Sequence, residues 1–277
     1  MARFAVFGDA HDADLAALID EVNSQKPDAV LMTGDLRGYT KSNEAFFRSF
    51  EQLAKNLNRQ AYLIPGSHDY KSEWRKAFLL AGERKEYLVD LSGGRPVEVA
   101  GVMLIPYGGA TWLPIPPNEA FRINPLLQVS DLAVYLARAK GRPTALMMHE
   151  PLKMYGDVAE FFEHPQKVGL RMPAQAALAQ FGDAASKYIR REHVGNEQVQ
   201  DLVEGRLANP IPDLTVFGHI HENYKFGPRG QEVPTQKPAE QNVSVKNLSL
   251  NPGAFMDGFF GLVNVSAGEV SYNIKKL

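Results

Sequence analysis

Five short motifs along the chain carry carboxylate or imidazole side chains, the groups that bind metal ions in a protein without cysteine. In chain order they are Asp9-Ala10-His11, Gly34-Asp35, Gly66-Ser67-His68-Asp69, His149-Glu150-Pro151 and Gly218-His219-Ile220-His221. They contain five of the seven histidines of the chain. Carboxylate oxygens and neutral imidazole nitrogens are good ligands for divalent cations. The motifs therefore predict a metal site if the fold brings them together.

Each motif taken alone also has a simpler explanation. Asp9 and Asp35 could each be the N-cap of a helix that follows. Pro65-Gly66 is a strong turn dipeptide, and His149 could be a hydrogen-bonded histidine of the core. The pair of imidazoles at positions 219 and 221 is harder to explain in this way, because two such groups after an apolar run suit metal ligation.

Each motif follows a short apolar run of the length of a strand, with at most one residue between them. The runs are Phe4–Phe7, Ala29–Thr33, Ala61–Ile64, Ala145–Met148 and Leu214–Phe217. Such continuously apolar runs are typical of strands buried on both faces. Between the first three runs, Asp14–Val22 and Asn43–Leu57 carry apolar residues at helical spacing. Alternating strands and helices predict a layered α/β domain, whose ligand site lies at the carboxyl ends of the strands, where the motifs stand.

The second half of the chain is less regular. Val97–Val99 and Val102–Pro106 are predicted to form a hairpin around Ala100-Gly101. Leu152–Pro212 is expected to be mostly helical, with Ala174–Phe181 and Ala184–Arg191 as helices, and Gly227–Asn242 to be a loop. Val243–Leu250, Phe259–Val265 and Val270–Ile274 are predicted strands. The fold class that follows is α/β, a four-layer α/β/β/α sandwich of two mixed sheets with helices outside.

The composition excludes several classes of protein. With 277 residues, 44% of them hydrophobic, the chain is neither disordered nor fibrous. Without cysteine it has no disulfide framework, zinc ribbon, iron–sulfur cluster or cysteine nucleophile. The net charge of −2 gives no general attraction to nucleic acid. The apolar N-terminal run is too short for a signal peptide. No stretch reaches the ~18 apolar residues of a membrane span. We therefore expect a cytoplasmic protein without membrane contact.

In their order, the five motifs resemble the signature blocks of the calcineurin-like metallophosphoesterase family, which are G-D-x-H, G-D-x-x, G-N-H-[DE], an isolated His and G-H-x-H. The resemblance extends from Gly8 to His221, and Asn251-Pro252-Gly253 is similar to the closing motif of the family. It implies a single metallophosphoesterase domain over residues 1–277. Within this domain, an insert at 152–212 would cover one side of the metal cleft and set substrate specificity.

The resemblance implies a site for two divalent ions. The implied ligands are Asp9, His11, Asp35, Ser67, His149, His219 and His221. The first ion would lie among the ligands at 9, 11, 35 and 221, and Asp35 would bridge it to the second. Manganese, iron, zinc and cobalt all suit such a nitrogen-and-oxygen ligand set, which does not choose among them.

Three further residues bear on the chemistry. The resemblance implies that His68 stands beside the substrate and stabilises or protonates the leaving oxygen. Arg37 could bind a phosphate oxygen, because a guanidinium suits that geometry, or it could be a solvated loop residue. Ser67 stands where the family has asparagine, and a hydroxyl is the poorer neutral ligand, so weak occupancy of the second ion site is predicted.

The implied function is a metal-dependent phosphoester hydrolase, a phosphatase or a phosphodiesterase, in which a metal-bound hydroxide attacks the phosphorus. Two alternatives remain open at this point. One is a non-catalytic binding module of the same fold, which the departure at Ser67 keeps open. The other is a nuclease acting on DNA, which the net charge of −2 does not support. The sequence leaves the physiological substrate and the oligomeric state open.

Overall fold

The structure of the chain is a computed structural model. It describes residues 1–38, 43–81, 86–111, 118–123, 125–139, 141–153, 158–163, 165, 171–193, 195–207, 210–219, 224–226, 243–245 and 247–277. The strands in these ranges are β1 Ala2–Phe7, β2 Ala29–Met32, β3 Ala61–Leu63, β4 Leu88–Asp90, β5 Val97–Val99, β6 Val102–Tyr107, β7 Thr144–Met148, β8 Val158–Glu163, β9 Arg171–Pro173, β10 Ile189–His193, β11 Leu214–Val216, β12 Tyr224–Phe226, β13 Val243–Val245, β14 Leu248–Asn251, β15 Phe259–Ser266 and β16 Glu269–Lys276. The α-helices are α1 Ala16–Gln25, α2 Glu44–Asn56, α3 Lys71–Leu80, α4 Pro125–Ala139, α5 Ala174–Phe181 and α6 Glu197–Val203.

The strands form two large mixed sheets and one small sheet. The first large sheet has the order β13-β16-β15-β1-β2-β3-β4, in which β1 to β4 are parallel and β15 runs antiparallel to β1. The second has the order β12-β14-β11-β7-β6-β5, with parallel pairing from β14 to β6. The small sheet, β10-β8-β9, is antiparallel.

The two large sheets pack face to face with helices on their outer faces. Val6 and Leu31 of the first sheet share one apolar core with Leu104 and Met147 of the second. The outer face of the first sheet is covered by α1, α2 and α3, which bury side chains such as Trp74 against it. The outer face of the second is covered by α4 and α6. This confirms the predicted four-layer α/β/β/α sandwich of two mixed sheets.

Most predicted elements are present at nearly the predicted bounds. The five apolar runs that precede the motifs form β1, β2, β3, β7 and β11. The first predicted helix ends at Lys26, which adopts a left-handed conformation just before Pro27. The predicted hairpin is formed by β5 and β6, and both residues of its turn, Ala100 and Gly101, have positive φ angles, as a tight hairpin turn requires.

Two predictions about the later chain are wrong. Val243–Leu250 is not one strand, because the segments on either side of Asn247, which has a φ of 53°, join different sheets. Leu152–Pro212 is not mostly helical, since it contains the small sheet. The predicted helix Ala174–Phe181 is confirmed as α5. The predicted helix Ala184–Arg191 is wrong, because a 3₁₀ helix spans Gly182–Tyr188 and the chain then continues into β10. Gly182, with a φ of 63°, separates the 3₁₀ helix from α5. The predicted loop Gly227–Asn242 lies outside the described residues.

The region of the predicted insert leaves the sandwich and returns to it at one place. The N–H of Asn196 donates to the carbonyl of Pro151 at 2.8 Å, and that of Lys153 donates to the carbonyl of Asn196 at 3.4 Å. A Cβ on Gly195 would lie 2.5 Å from the backbone of Leu152, so this neck requires glycine. The described residues between 153 and 195 therefore form an excursion from the sandwich, whereas α6 packs on the second sheet. The role of the insert stays a prediction.

Within the described ranges, no helix is both long enough and apolar enough to cross a lipid bilayer.

Candidate metal centre

The loops that follow β1 and β2 lie against each other and carry the first two motifs. The N–H of Asp9 donates to the carbonyl of Gly34 at 3.0 Å, and the N–H of His11 donates to the carbonyl of Asp35 at 3.1 Å. Asp9, His11 and Asp35 have φ angles of 53°, 45° and 53°. Residues other than glycine rarely adopt this left-handed backbone conformation. Those that do are concentrated at functional sites.

Among the residues that the structure describes, possible metal-ligating atoms form two clusters. In the first, Asp9, His11 and Asp35 place one ligand atom each within 4.8 Å of one another. In the second, Asp35, His149 and His219 do the same. His149 Nε2 lies 3.2 Å from Asp35 Oδ2 and 3.1 Å from His219 Nδ1. Asp35 thus belongs to both clusters.

Five of the seven predicted ligands are therefore brought together in these clusters. His221 lies outside the described residues. Ser67 is buried beside the second cluster, where its Oγ donates to Asp35 Oδ2 at 3.0 Å and lies 3.5 Å from His219 Nδ1. A Cβ on the neighbouring Gly66 would lie 2.1 Å from Asp35 Oδ1, which explains why glycine opens this motif.

Backbone carbonyls orient two of the imidazoles. His11 Nδ1 lies 3.1 Å from the carbonyl oxygen of Arg37, and His149 Nδ1 lies 2.8 Å from the carbonyl oxygen of Thr33. Since a carbonyl oxygen only accepts, Nδ1 carries a proton in both rings, which leaves Nε2 as the atom that can bind a metal ion. Metal-ligating histidines almost always have such a partner on the second ring nitrogen.

The carboxylates at the second cluster stabilise a positive charge placed beside them, as the pKa values of Asp35 and His149 indicate. Burial alone would raise the pKa of the Asp35 carboxyl, but the imidazoles of His149 and His68 outweigh it and hold that pKa well below its usual range. Burial alone would lower the pKa of His149, but the carboxylates of Asp35 and Asp9 raise it to about 10. A ligand imidazole gives up its proton to a metal ion, so a divalent cation would supply the positive charge that this cluster stabilises. The residues present therefore fit a divalent ion.

Asp69, to which the sequence assigned no role, connects the second and third motifs. Its Oδ2 accepts from the N–H of Asp35 at 2.9 Å and from the N–H of Gly66 at 2.8 Å, and its Oδ1 accepts from the N–H of Arg37 at 3.1 Å. Burial, together with the nearby charge of Asp35, raises the pKa of Asp69 to about 7. The carboxyl group thus holds in place the backbone that carries Asp35.

His68 and Arg37 lie at the border of the clusters. The N–H of His68 donates to Asp35 Oδ1 at 2.7 Å, and its ring packs edge-on against His11 with the centroids 5.2 Å apart. The guanidinium of Arg37 forms an ion pair with Glu73 and lies 4.0 Å from the centre of the Tyr70 ring. Because Arg37 is buried, the alternative of a solvated loop residue is wrong.

Glu150 follows His149 but contacts other segments. It accepts hydrogen bonds from the N–H and the hydroxyl of Thr111, and from Asn196 Nδ2 at 3.3 Å. Asn196 stands at the neck of the 153–195 excursion and caps α6, where its side chain accepts from the N–H of Val199. Glu150 therefore connects the neck to the strand end that carries His149.

The chain belongs to the calcineurin-like phosphoesterase family, whose model matches residues 2–223. This family membership supports metal-dependent hydrolysis of phosphoesters, for which the clusters provide candidate ligands. A search of curated protein sequences gave no significant match.

Solved structures share the fold at low sequence identity. TT1561 of Thermus thermophilus has a TM-score of 0.60 and 13% identity, with 99% of this chain and 98% of that chain covered. A dimetal phosphatase from Danio rerio has a TM-score of 0.56 and 9% identity over 98% of both chains. The calcineurin-like phosphoesterase YfkN of Bacillus subtilis has a TM-score of 0.51 and 12% identity, with 99% of this chain and 90% of that chain covered.

Proposed function

We propose that the chain hydrolyses phosphoesters at a centre of two divalent metal ions. The observation that carries this proposal is that Asp35 belongs to both clusters of ligand atoms, as a bridging carboxylate would. Asp9, His11 and His221 would complete the first ion site. Ser67, His149 and His219 would complete the second. A solved structure of the same fold, from Danio rerio, is described as a dimetal phosphatase, which agrees with a dinuclear centre.

The side chains around the ions have separate tasks in this proposal. Two divalent ions, when bound, neutralise the charge of the phosphate group and activate a water molecule as the nucleophile. His68, at the border of the first cluster, donates a proton to the leaving oxygen. Arg37 donates hydrogen bonds to a phosphate oxygen, while its backbone carbonyl keeps the proton of His11 on Nδ1.

Metal analysis and a substrate panel test the proposal. The purified protein is loaded with Mn²⁺ and assayed with p-nitrophenyl phosphate, bis(p-nitrophenyl) phosphate, cyclic nucleotides and single-stranded DNA. We expect metal-dependent hydrolysis of at least one ester that chelation abolishes and added Mn²⁺ restores. Bound metal without turnover of any ester, or no bound metal at all, would favour a non-catalytic binding module instead. Cleavage of DNA alone would indicate a nuclease.

Replacing Ser67 by asparagine is expected to tighten binding of the second ion about tenfold, because an amide carbonyl is the better neutral ligand. The hydroxyl already lies beside Asp35 and His219, so the new amide would enter the second cluster. Calorimetric titration with Mn²⁺ measures both sites, and the affinity of the first site is the internal control. Equal second-site affinities of the native and substituted proteins would refute a ligand role at this position.

Excising residues 153–195 is expected to change substrate preference on the order of tenfold while metal binding is retained. The ends of the excursion meet at a 2.8 Å hydrogen bond between Asn196 and Pro151, so a short glycine linker can join them. Metal stoichiometry and the substrate panel are measured on the shortened chain. Unchanged preference would show that the excursion does not contribute to specificity. Loss of metal binding from a folded variant would show that it supports the centre itself.

A further inference from the structure

We propose that Glu73 makes this site select phosphodiesters, which carry one negative charge, over phosphomonoesters, which carry two. The inference rests on the proposed function and names its substrate class. Glu73 lies in the first turn of α3, outside the five motifs, and its carboxylate forms the ion pair with Arg37.

One partner of the ion pair, Arg37, contacts the first cluster through its backbone. Arg37 and Tyr70 each follow a site residue by two positions, Asp35 in one case and His68 in the other. The backbone of Arg37 contacts the site directly, since its carbonyl accepts from His11 Nδ1 at 3.1 Å. The ring of Tyr70, 4.0 Å from the Arg37 guanidinium carbon, and the carboxylate of Glu73 together fix the guanidinium.

The pair is shielded from solvent. Only 9% of the Arg37 side chain and 14% of the Glu73 side chain are exposed. Water therefore screens the attraction weakly, and the two opposite charges cancel for any group that approaches the site. Arg37 keeps N–H groups for a phosphate oxygen, but the pair adds little net positive charge.

The charge of the pair bears on the choice of substrate. A monoester is a dianion above pH ~6 and a diester is a monoanion, so an unpaired cation near the site attracts the monoester about twice as strongly as the diester. Paired with Glu73, Arg37 offers hydrogen-bond donors to either ester without the net charge that would favour the dianion. Glu73 therefore shifts the preference toward the diester.

The Glu73→Gln substitution tests the proposal, because glutamine keeps the shape and removes the charge. The ratio of kcat/KM for p-nitrophenyl phosphate to that for bis(p-nitrophenyl) phosphate is measured with Mn²⁺ at pH 8. The native protein is expected to prefer the diester, and the substitution to raise the monoester-to-diester ratio about tenfold. The double variant Arg37→Gln/Glu73→Gln, in which the pair is again neutral, is expected to return the ratio toward the native value.

Phosphate binding gives a second readout that does not depend on turnover. In calorimetric titration of the Mn²⁺-loaded protein with inorganic phosphate, Glu73→Gln is expected to bind the dianion about tenfold more tightly than the native protein. The matched control is Glu51→Gln on α2, which removes a carboxylate from an exposed pair with Lys55. This control is expected to change neither the ratio nor the phosphate affinity.

The outcomes separate this inference from the proposed function. If the native protein hydrolyses no ester of the whole substrate panel, the proposed function fails. If it hydrolyses esters but prefers the monoester, the inference is overturned, whatever the variants do. It is also overturned if Glu73→Gln is folded but leaves both the ester ratio and the phosphate affinity unchanged.

Discussion

Replacing Asp35 by asparagine is expected to lower the rate of phosphoester hydrolysis on the order of a thousandfold in a protein that still folds. Asp35 has ligand atoms in both clusters and accepts hydrogen bonds from the Ser67 hydroxyl and the His68 N–H. Asparagine keeps the shape of the side chain but removes its charge and one of its two oxygens. Neither ion would then have the shared anionic ligand.

The measurement combines kcat, metal stoichiometry and a thermal melt. Asp20→Asn, an exposed position on α1, is the matched control and should leave all three unchanged. We expect the Asp35 variant to lose at least the second ion, because His149, His219 and the weak ligand Ser67 would have to hold it without a carboxylate. An Asp35→Asn protein that keeps two ions and native activity would overturn the assignment of the site.

Replacing His68 by asparagine is expected to lower kcat about 10²- to 10⁴-fold without changing the number of bound ions. His68 lies beside Asp35 and His11 but provides no ligand atom to either cluster of the described residues. As a proton donor it matters most when the leaving oxygen is basic. The loss should therefore be larger for an alkyl phosphate ester than for a p-nitrophenyl ester, whose leaving group departs without a proton.

Steady-state kinetics with the two kinds of leaving group measure this difference, and metal analysis of the same preparations is the control. Equal losses for both esters would exclude proton donation by His68. Loss of a metal ion from the folded variant would show instead that His68 supports the centre.

Much of the site was predictable because it depends on local patterns. A buried strand must end in a polar loop, and the carboxyl ends of parallel strands meet at one edge of a sheet, so Asp9 and Asp35 could be placed together from the sequence. The order of the motifs then indicated the family, which the match over residues 2–223 confirms.

The remaining features depend on contacts between distant residues. The pairing of Arg37 with Glu73 and the three bonds of Asp69 join side chains and backbone that no sequence periodicity relates. The Ala-rich segment after α5 has a helical composition, but Ile189–His193 pairs with Val158–Glu163 about thirty residues earlier, and this non-local pairing outweighs local propensity. Such pairing is why the small sheet was not predicted.

The count of metal ions in the native protein tests the dinuclear centre most directly. Because the second ion is expected to bind weakly, the protein is dialysed to equilibrium against Mn²⁺ at a concentration that saturates both sites. Bound ions are counted from the difference between the two compartments, and the same sample is examined by electron paramagnetic resonance. A bridging carboxylate predicts two manganese ions per chain with a magnetically coupled spectrum. A fully active protein with one ion per chain, or with two uncoupled ions, would contradict a centre that shares Asp35.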